Sequence, residues 1–356
     1  MNLFAPSGPT SPKDRRESSV GIPIESVLSG MGITKRKIRK LDAIARANHP
    51  EGHKVQRAYS ARPFVLCGIP VRRPHKHSLE YSRQNGRFRL RVIGHPDYGL
   101  PFGQDRLLLI WIASMATWQK TRAIRFRSAA RILETFGLPK DGRYYKRLIA
   151  GFERIFYSTF FFTSDEQSAE TIIITRTSFR FVSTLKLWYT RGNSPDHEPD
   201  SSSGENLIVL SEEFWSEIQG HPIPVDLNVV RALADSPGNL DLYIWLVWRS
   251  WTAKAPVNIP LFGPEGLVSQ LGNSENLRER DFRRQIARWL KITRQLWPEG
   301  TATLAESGES LILRPVRKVP DAQSGCGFSR LFSRERVRAF HVIQFALARD
   351  RVRSHT

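Results

Sequence analysis

Cysteine is nearly missing from this chain. Its 356 residues hold two, Cys67 and Cys326, and neither has a second cysteine nearby. That excludes a zinc ribbon and a Cys-x-x-C redox pair, and leaves free buried thiols of a reducing compartment as the expectation. Histidine is scarce, and the one close pair is His75-Lys76-His77. A rolling-circle nickase needs two histidines on a buried strand around an apolar residue, and a tyrosine nucleophile on a helix. Here the middle residue is Lys76, the flanks read PVRRP and SLEY, and Tyr144 and Tyr145 fall on the core side of their helix. His75 and His77 therefore read as surface residues of a basic loop. The motifs G-x-x-x-x-G-K-[ST], H-E-x-x-H and G-x-S-x-G are absent. A nucleotide-driven motor, a zinc protease and a serine hydrolase are thereby disfavoured. The chain reads as a non-enzyme, with no catalytic residue, metal ligand or cofactor.

Long apolar runs are missing too. The longest, Leu107–Met115 and Leu240–Trp248, fall short of the ~18 residues that a membrane helix needs. The first residues, MNLFAPSGPTSPKDRRESS, contain no apolar core of a secretory signal. The expectation is a soluble, cytoplasmic protein with no membrane partner.

Acidic residues are also in short supply. Lys and Arg number 54 against 34 Asp and Glu, a formal net charge of +20. A polyanion is the natural partner of such a chain, and nucleic acid is the first candidate. The segment 1–97 carries 19 Lys or Arg against 7 Asp or Glu, twelve of the net charges. It reads as a flexible basic arm, largely disordered over 1–86, with residues 33–47 either a short basic helix or a solvated stretch.

What is present is periodicity. RFRLRVIG (87–94) alternates as a half-buried strand does. Asp105–Gln119 is an apolar helix, and Ile124–Phe126 an extended link. Ser128 can N-cap a helix over Ala129–Phe136, closed by Gly137. Asp141 and Gly142 then open the helix Arg143–Tyr157. Two β-rich runs follow, STFFFTS and TIIITRTSFRFVSTLKLWY. Residues 192–226 hold eight acids and no Lys or Arg, and 192–225 reads as an exposed junction between domains. The order then repeats: a helix over Asp226–Ala234, a helix over Asn239–Thr252, a link at Val257–Phe262, and a helix over Pro264–Leu271. A long helix follows within Asn276–Trp297, with Asn276 and Glu279 spaced as a capping box, and then the strands TATLAE and ESLILRP. Trp111 aligns with Trp245, Phe136-Gly137 with Leu271-Gly272, and Arg147, Ile149, Phe152 and Ile155 with Arg284, Ile286, Trp289 and Ile292. A structural duplication is expected.

Three helices followed by a two-stranded ribbon is the order of a winged helix. The expected fold is α+β, mainly helical: one winged-helix domain over 87–191 and a second over 226–320, with a basic C-terminal tail over 321–356. Within that tail, Ser329–Arg353 has the composition of an amphipathic helix.

The third helix of each repeat carries the candidate DNA contacts. In the second, Phe282, Ile286, Trp289, Leu290 and Leu296 share one arc, while Arg280, Arg283, Arg284, Arg288, Lys291 and Arg294 lie opposite. Arg278 stands at its start. In the first, Arg143, Lys146, Arg147 and Arg154 lie opposite the apolar side. A major groove admits one such helix, and Arg is the commonest reader of guanine edges. Arg127 and Ser128 stand at a helix start suited to a phosphate. Arg314, Arg317 and Lys318 follow the last strand and are further candidates for backbone contact.

The stretches YGLPFGQDRLLLIWIASMAT (98–117), FRSAARILETFG (126–137) and YYKRLIAGFERIFYSTFFF (144–162) resemble the conserved region of RepA-type plasmid replication initiators. The resemblance covers residues 87–190, and reaches about 315 through the repeat. It implies binding to repeated double-stranded origin DNA (iterons), opening of an AT-rich segment, and recruitment of the host initiator and replicative helicase. It also implies a homodimer formed through the first winged-helix domain, able to repress its own gene. A winged-helix transcription regulator with no replication role is the alternative.

Overall fold

The computed structural model describes residues 34–48, 56–75, 77–126, 128–167, 172–187, 206–263, 265–271, 278–300 and 302–316. Of what it describes, 46% is helix and 25% strand. That is a mixed α/β protein, where the sequence pattern suggested a mainly helical one.

The described chain begins with α1 (Lys35–Asn48), β1 (Arg57–Ala61), α2 (Arg62–Leu66), β2 (Glu80–Asn85) and β3 (Phe88–Ile93). A first repeat unit follows: α3 (Asp105–Gln119), β4 (Ala123–Phe126), α4 (Ala129–Thr135) and α5 (Gly142–Tyr157). Next come β5 (Thr159–Gln167), β6 (Ile172–Arg180), β7 (Val182–Lys186) and β8 (Asn206–Leu210). Then α6 (Glu212–Gly220), β9 (Pro222–Asp226) and α7 (Leu227–Leu233) lead into the second unit. That unit holds α8 (Pro237–Thr252), β10 (Val257–Pro260), α9 (Leu267–Gln270), α10 (Glu279–Leu296), β11 (Ala302–Leu304) and β12 (Ser310–Leu313).

The two units share one topology. In the first, three strands are ordered β4-β8-β7, and in the second β10-β12-β11. In both, the strand after the first helix pairs with the last strand of the unit, and the last-but-one strand lies outermost. The helices α3 and α8 are buried on nearly every side, because each packs against several neighbours at once. On α8, Leu240, Tyr243 and Ile244 join the larger core, while Leu242, Trp245 and Leu246 join a smaller one with Phe282, Ile286 and Leu311. Both long helices cross close neighbours at a glycine. A Cβ at Gly151 would lie 2.8 Å from Asp105 Oδ1, and one at Gly238 would lie 2.3 Å from Trp289 Cη2.

Several expectations are corrected. Part of the segment assigned to a disordered arm is core: Ala58, Ala61, Leu66 and Ile69 are buried, and β1 pairs with the distant β9, Ala61 opposite Pro222 and Arg57 opposite Asp226. Residues 35–48 are helical, with Ile38 buried on one side. Part of the acidic junction is also structure. Strand β8 completes the first unit's sheet through β4, and Phe214 of α6 is fully buried. At the start of α6, Glu212 and Glu213 are exposed while Phe214 and Ile218 behind them are buried, so an acidic composition hides the apolar side. The ribbon after α5 is not the first unit's two-stranded end. Strands β5 and β6 belong to a four-stranded sheet ordered β2-β3-β5-β6. There Phe160 and Phe162 face Val92 and Leu90 in register, and these four side chains are buried. The capping-box expectation also shifts, because the N-cap of α10 is Arg278, with Glu279 and Asp281 in the first turn. Cys67 is a buried free thiol pushed up to about 12 by burial, and Cys326 lies outside the described residues, as does the tail over 321–356.

Candidate nucleic-acid interface

Helix α10 is placed by its apolar side. Phe282, Ile286, Trp289, Leu290, Thr293 and Leu296 are buried, at the i, i+4, i+7 spacing that keeps them on one face. At ~100° per residue, Arg284, Arg288 and Lys291 fall within a narrow stripe on the other face. All three are exposed, and among the described residues none has an ion-pair or hydrogen-bond partner. Arg280 lies beside them, 3.9 Å from the carboxylate of Asp281, and Arg278 is exposed at the N-cap.

Two other cations of this helix are committed to the protein. Arg283 is half-buried, donates to Glu309 at 2.6 Å and Glu279 at 3.3 Å, and lies over the ring of Phe262. It ties the helix to the turn before β12. Arg294 donates through Nε and Nη2 to the carbonyl of Ala302, at 3.2 and 3.0 Å, and so holds the first residue of β11. Solvent-facing charge alone did not distinguish these two from their neighbours.

Helix α5 repeats the pattern with less charge. Asp141 caps it, its carboxylate accepting from the Tyr144 N–H at 2.9 Å. Leu148, Phe152 and Ile155 are buried, while Arg143, Lys146 and Arg147 are exposed near its start. Arg147 lies 5.5 Å from the centre of the Tyr144 ring. Arg154 is corrected. Its guanidinium is mostly buried and donates to both oxygens of Asp105, at 2.7 and 2.8 Å. It is a core cation that holds α5 to α3. Ser128 stands at the N-cap of α4 with an extended backbone, but its hydroxyl makes no capping bond, and Arg127 lies outside the described residues. Arg314 is exposed after β12, and Arg317 and Lys318 lie outside the described residues.

His75 and His77 are exposed. No group of three or more His, Cys, Asp and Glu able to hold a metal occurs among the described residues. No helix there is long and apolar enough to cross a membrane.

Sequence patterns did not reveal a polar network between the units, made by Arg83, Arg106 and Asp241. Its signal was a charge inside each of two apolar helices, α3 and α8. Burial pushes the Asp241 carboxyl up to about 6, against the pull of Arg106 and Arg83.

The molecule is thus a duplicated α/β unit with an exposed cationic stripe on the third helix of each copy. Residues 170–258 match the family described as plasmid encoded RepA protein. That span begins inside the region of the RepA-type resemblance and runs on through β7, β8, α6, β9, α7 and α8 to β10. The resemblance to this family is therefore found in a second part of the chain. Two solved structures are similar. One, of selenomethionine derivatives of domains 2 and 3 of RctB, has 12% identity and covers 72% of this chain and 100% of that one, with a TM-score of 0.47. The other, of RctB domains 2–3, has 13% identity and covers 68% and 92%, with a TM-score of 0.43. No curated protein matches the chain.

Proposed function

We propose that the chain is a non-catalytic plasmid replication initiator that binds repeated origin DNA through two winged helices. Each unit would lay its third helix in a major groove, α5 in the first and α10 in the second. The observation that carries this reading is the stripe Arg284, Arg288 and Lys291, exposed and without partners among the described residues. Three cations held together without an anion repel one another, and a phosphate backbone or a guanine edge relieves that. The strand orders β4-β8-β7 and β10-β12-β11 support the winged-helix assignment, with the outer strand pair of each sheet as the wing. The match of residues 170–258 to plasmid encoded RepA protein supports the replication role.

In this reading, Arg143, Lys146 and Arg147 read or hold DNA at the first unit, and Arg278, Arg280, Arg284, Arg288 and Lys291 at the second. The binding energy of these contacts would drive origin bending or opening, with host initiator and helicase recruited afterwards. Homodimers through the first unit would repress the chain's own gene. The test is a mobility-shift titration at near-physiological salt on the DNA flanking that gene, with scrambled competitor. A ladder of discrete complexes on direct repeats is the expected result. Equal, strongly salt-sensitive binding to both DNAs would reduce the surface to a general phosphate binder.

A further inference from the structure

The feature that the cationic helices leave unexplained lies between the two units. Arg106 follows Asp105 at the head of the apolar run of α3, and Asp241 enters α8 within another such run. The Arg106 side chain is buried, and that of Asp241 is 9% exposed. Arg106 Nε and Nη2 donate to Asp241 Oδ1 and Oδ2 at 2.7 and 2.9 Å. Nη1 donates to the carbonyl of Gly103, and Nη2 is shared with the carbonyls of Ile69 and Pro70. A Cβ at Gly68 would lie 3.1 Å from Asp241 Oδ2, so this position stays small. Buried Arg83 reaches from β2 to the second unit, donating to the Ser269 carbonyl at 3.2 Å and to the Tyr81 hydroxyl at 2.8 Å. Gln104 donates to Asp235 at 3.2 Å.

A buried ion pair is a weak stabiliser, because desolvation consumes most of what attraction gives, and apolar replacements are often as stable. Its advantage is direction. Two parallel N–H···O bonds on a planar guanidinium admit one relative placement of the helices that carry them. The helices α3 and α8 are the first helices of their units, and each holds its unit's third helix. Arg154 of α5 bonds Asp105 of α3, and Thr293 of α10 lies 3.0 Å from Asn239 of α8. A fixed relation of α3 to α8 is therefore a fixed relation of α5 to α10.

We infer that Arg106 and Asp241 are positioning residues that set the one spacing and rotational phase at which both cationic helices engage a single DNA duplex. This rests on the DNA-reading assignment proposed above. Each inserted base pair turns the second contact segment by about 34° and shifts it by about 3.4 Å. A rigid pair of readers cannot follow.

The test uses the full chain and the duplex that it enriches from a random-sequence pool. Three probes are compared: that duplex, the same duplex with about half a helical turn (~5 base pairs) inserted between its two protected segments, and a scrambled duplex. Wild type should bind the insert about ten-fold or more weakly, as expected when one unit no longer reaches its bases. Arg106→Met/Asp241→Leu, which removes the pair but keeps the interior apolar, should melt near wild type and bind the insert nearly as well as the parent duplex. Asp241→Asn serves as the second variant if the double one does not fold. Wild type tolerating the insert, or folded variants as intolerant as wild type, overturns the inference. Failure of wild type to distinguish the enriched duplex from the scrambled one is a separate result, and removes the DNA-reading assignment with all that rests on it.

Discussion

Arg154 of α5 and Asp105 of α3 form a two-armed ion pair, Nε to Oδ2 at 2.7 Å and Nη2 to Oδ1 at 2.8 Å, with both side chains largely out of water. The same carboxylate accepts from the Phe102 N–H at 2.9 Å, and the guanidinium lies over the Phe102 ring. A residue in phase with the outward cations of its helix is thus part of the framework. Arg154→Ala should cost about 3–5 kcal/mol of folding stability, because it leaves Asp105 buried and unpaired. Denaturant melts check this. A normal melt with reduced DNA affinity would return Arg154 to the interface.

Arg284→Ala and Arg288→Ala should behave in the opposite way. Each exposed side chain lacks a partner among the described residues, so stability should stay within about 0.5 kcal/mol of wild type. Specific DNA affinity should fall by ~1–3 kcal/mol for each base that is no longer read. Titrations at one fixed salt concentration, beside thermal melts, separate the two effects. Unchanged affinity at low salt would remove α10 as a reader.

Gly238→Ala places a methyl 2.3 Å from the buried ring of Trp289. Crowding of this kind should destabilise by about 1–3 kcal/mol. Gly142→Ala is the control: nothing lies within 4 Å of its added carbon, so it should be neutral, or stabilise by about 0.4–1 kcal/mol through reduced freedom of the unfolded chain. Equal effects at the two glycines would mean that Trp289 does not fill the α8–α10 crossing.

Glu217 of α6 accepts Arg62 Nε at 2.8 Å and Nη2 at 2.9 Å, and lies 3.6 Å from His221. Burial pushes its carboxyl up, but the hydrogen bond and charge of His221 and the Arg62 guanidinium outweigh this and hold it below the ordinary 4.5. A folded-state value below the unfolded one stabilises the protein above the ordinary carboxylate range, and that stability is lost as pH falls through the depressed value. Glu217→Gln should therefore be less stable than wild type at neutral pH, with the gap closing in acid. Urea midpoints across that range check it, and a gap independent of pH would mean that the Arg62–Glu217 pair contributes nothing through charge.

Much of the architecture was legible in the periodicity. The bounds of α3 follow from its apolar run, and α5 begins where Asp141 can cap it. The duplication was visible in Trp111 and Trp245 and in the matched apolar positions of α5 and α10. Illegible were elements whose partners lie far along the chain. Strand β1 needs β9, and β8 needs β4. Neither shows its role until the other is present, and acidic or basic flanks disguised both.

The sequence by itself determined which faces are apolar and which cationic, because helix and strand periods are local properties of the chain. It also determined the excess of positive charge and the order of the repeated helices. Only the tertiary structure decided which cations remain free. Arg154, Arg283 and Arg294 found carboxylates or carbonyls brought by other elements, while Arg284, Arg288 and Lys291 found none among the described residues. Whether a guanidinium is engaged inside the fold depends on what packing brings within about 3 Å of it, and a helical pattern does not encode that.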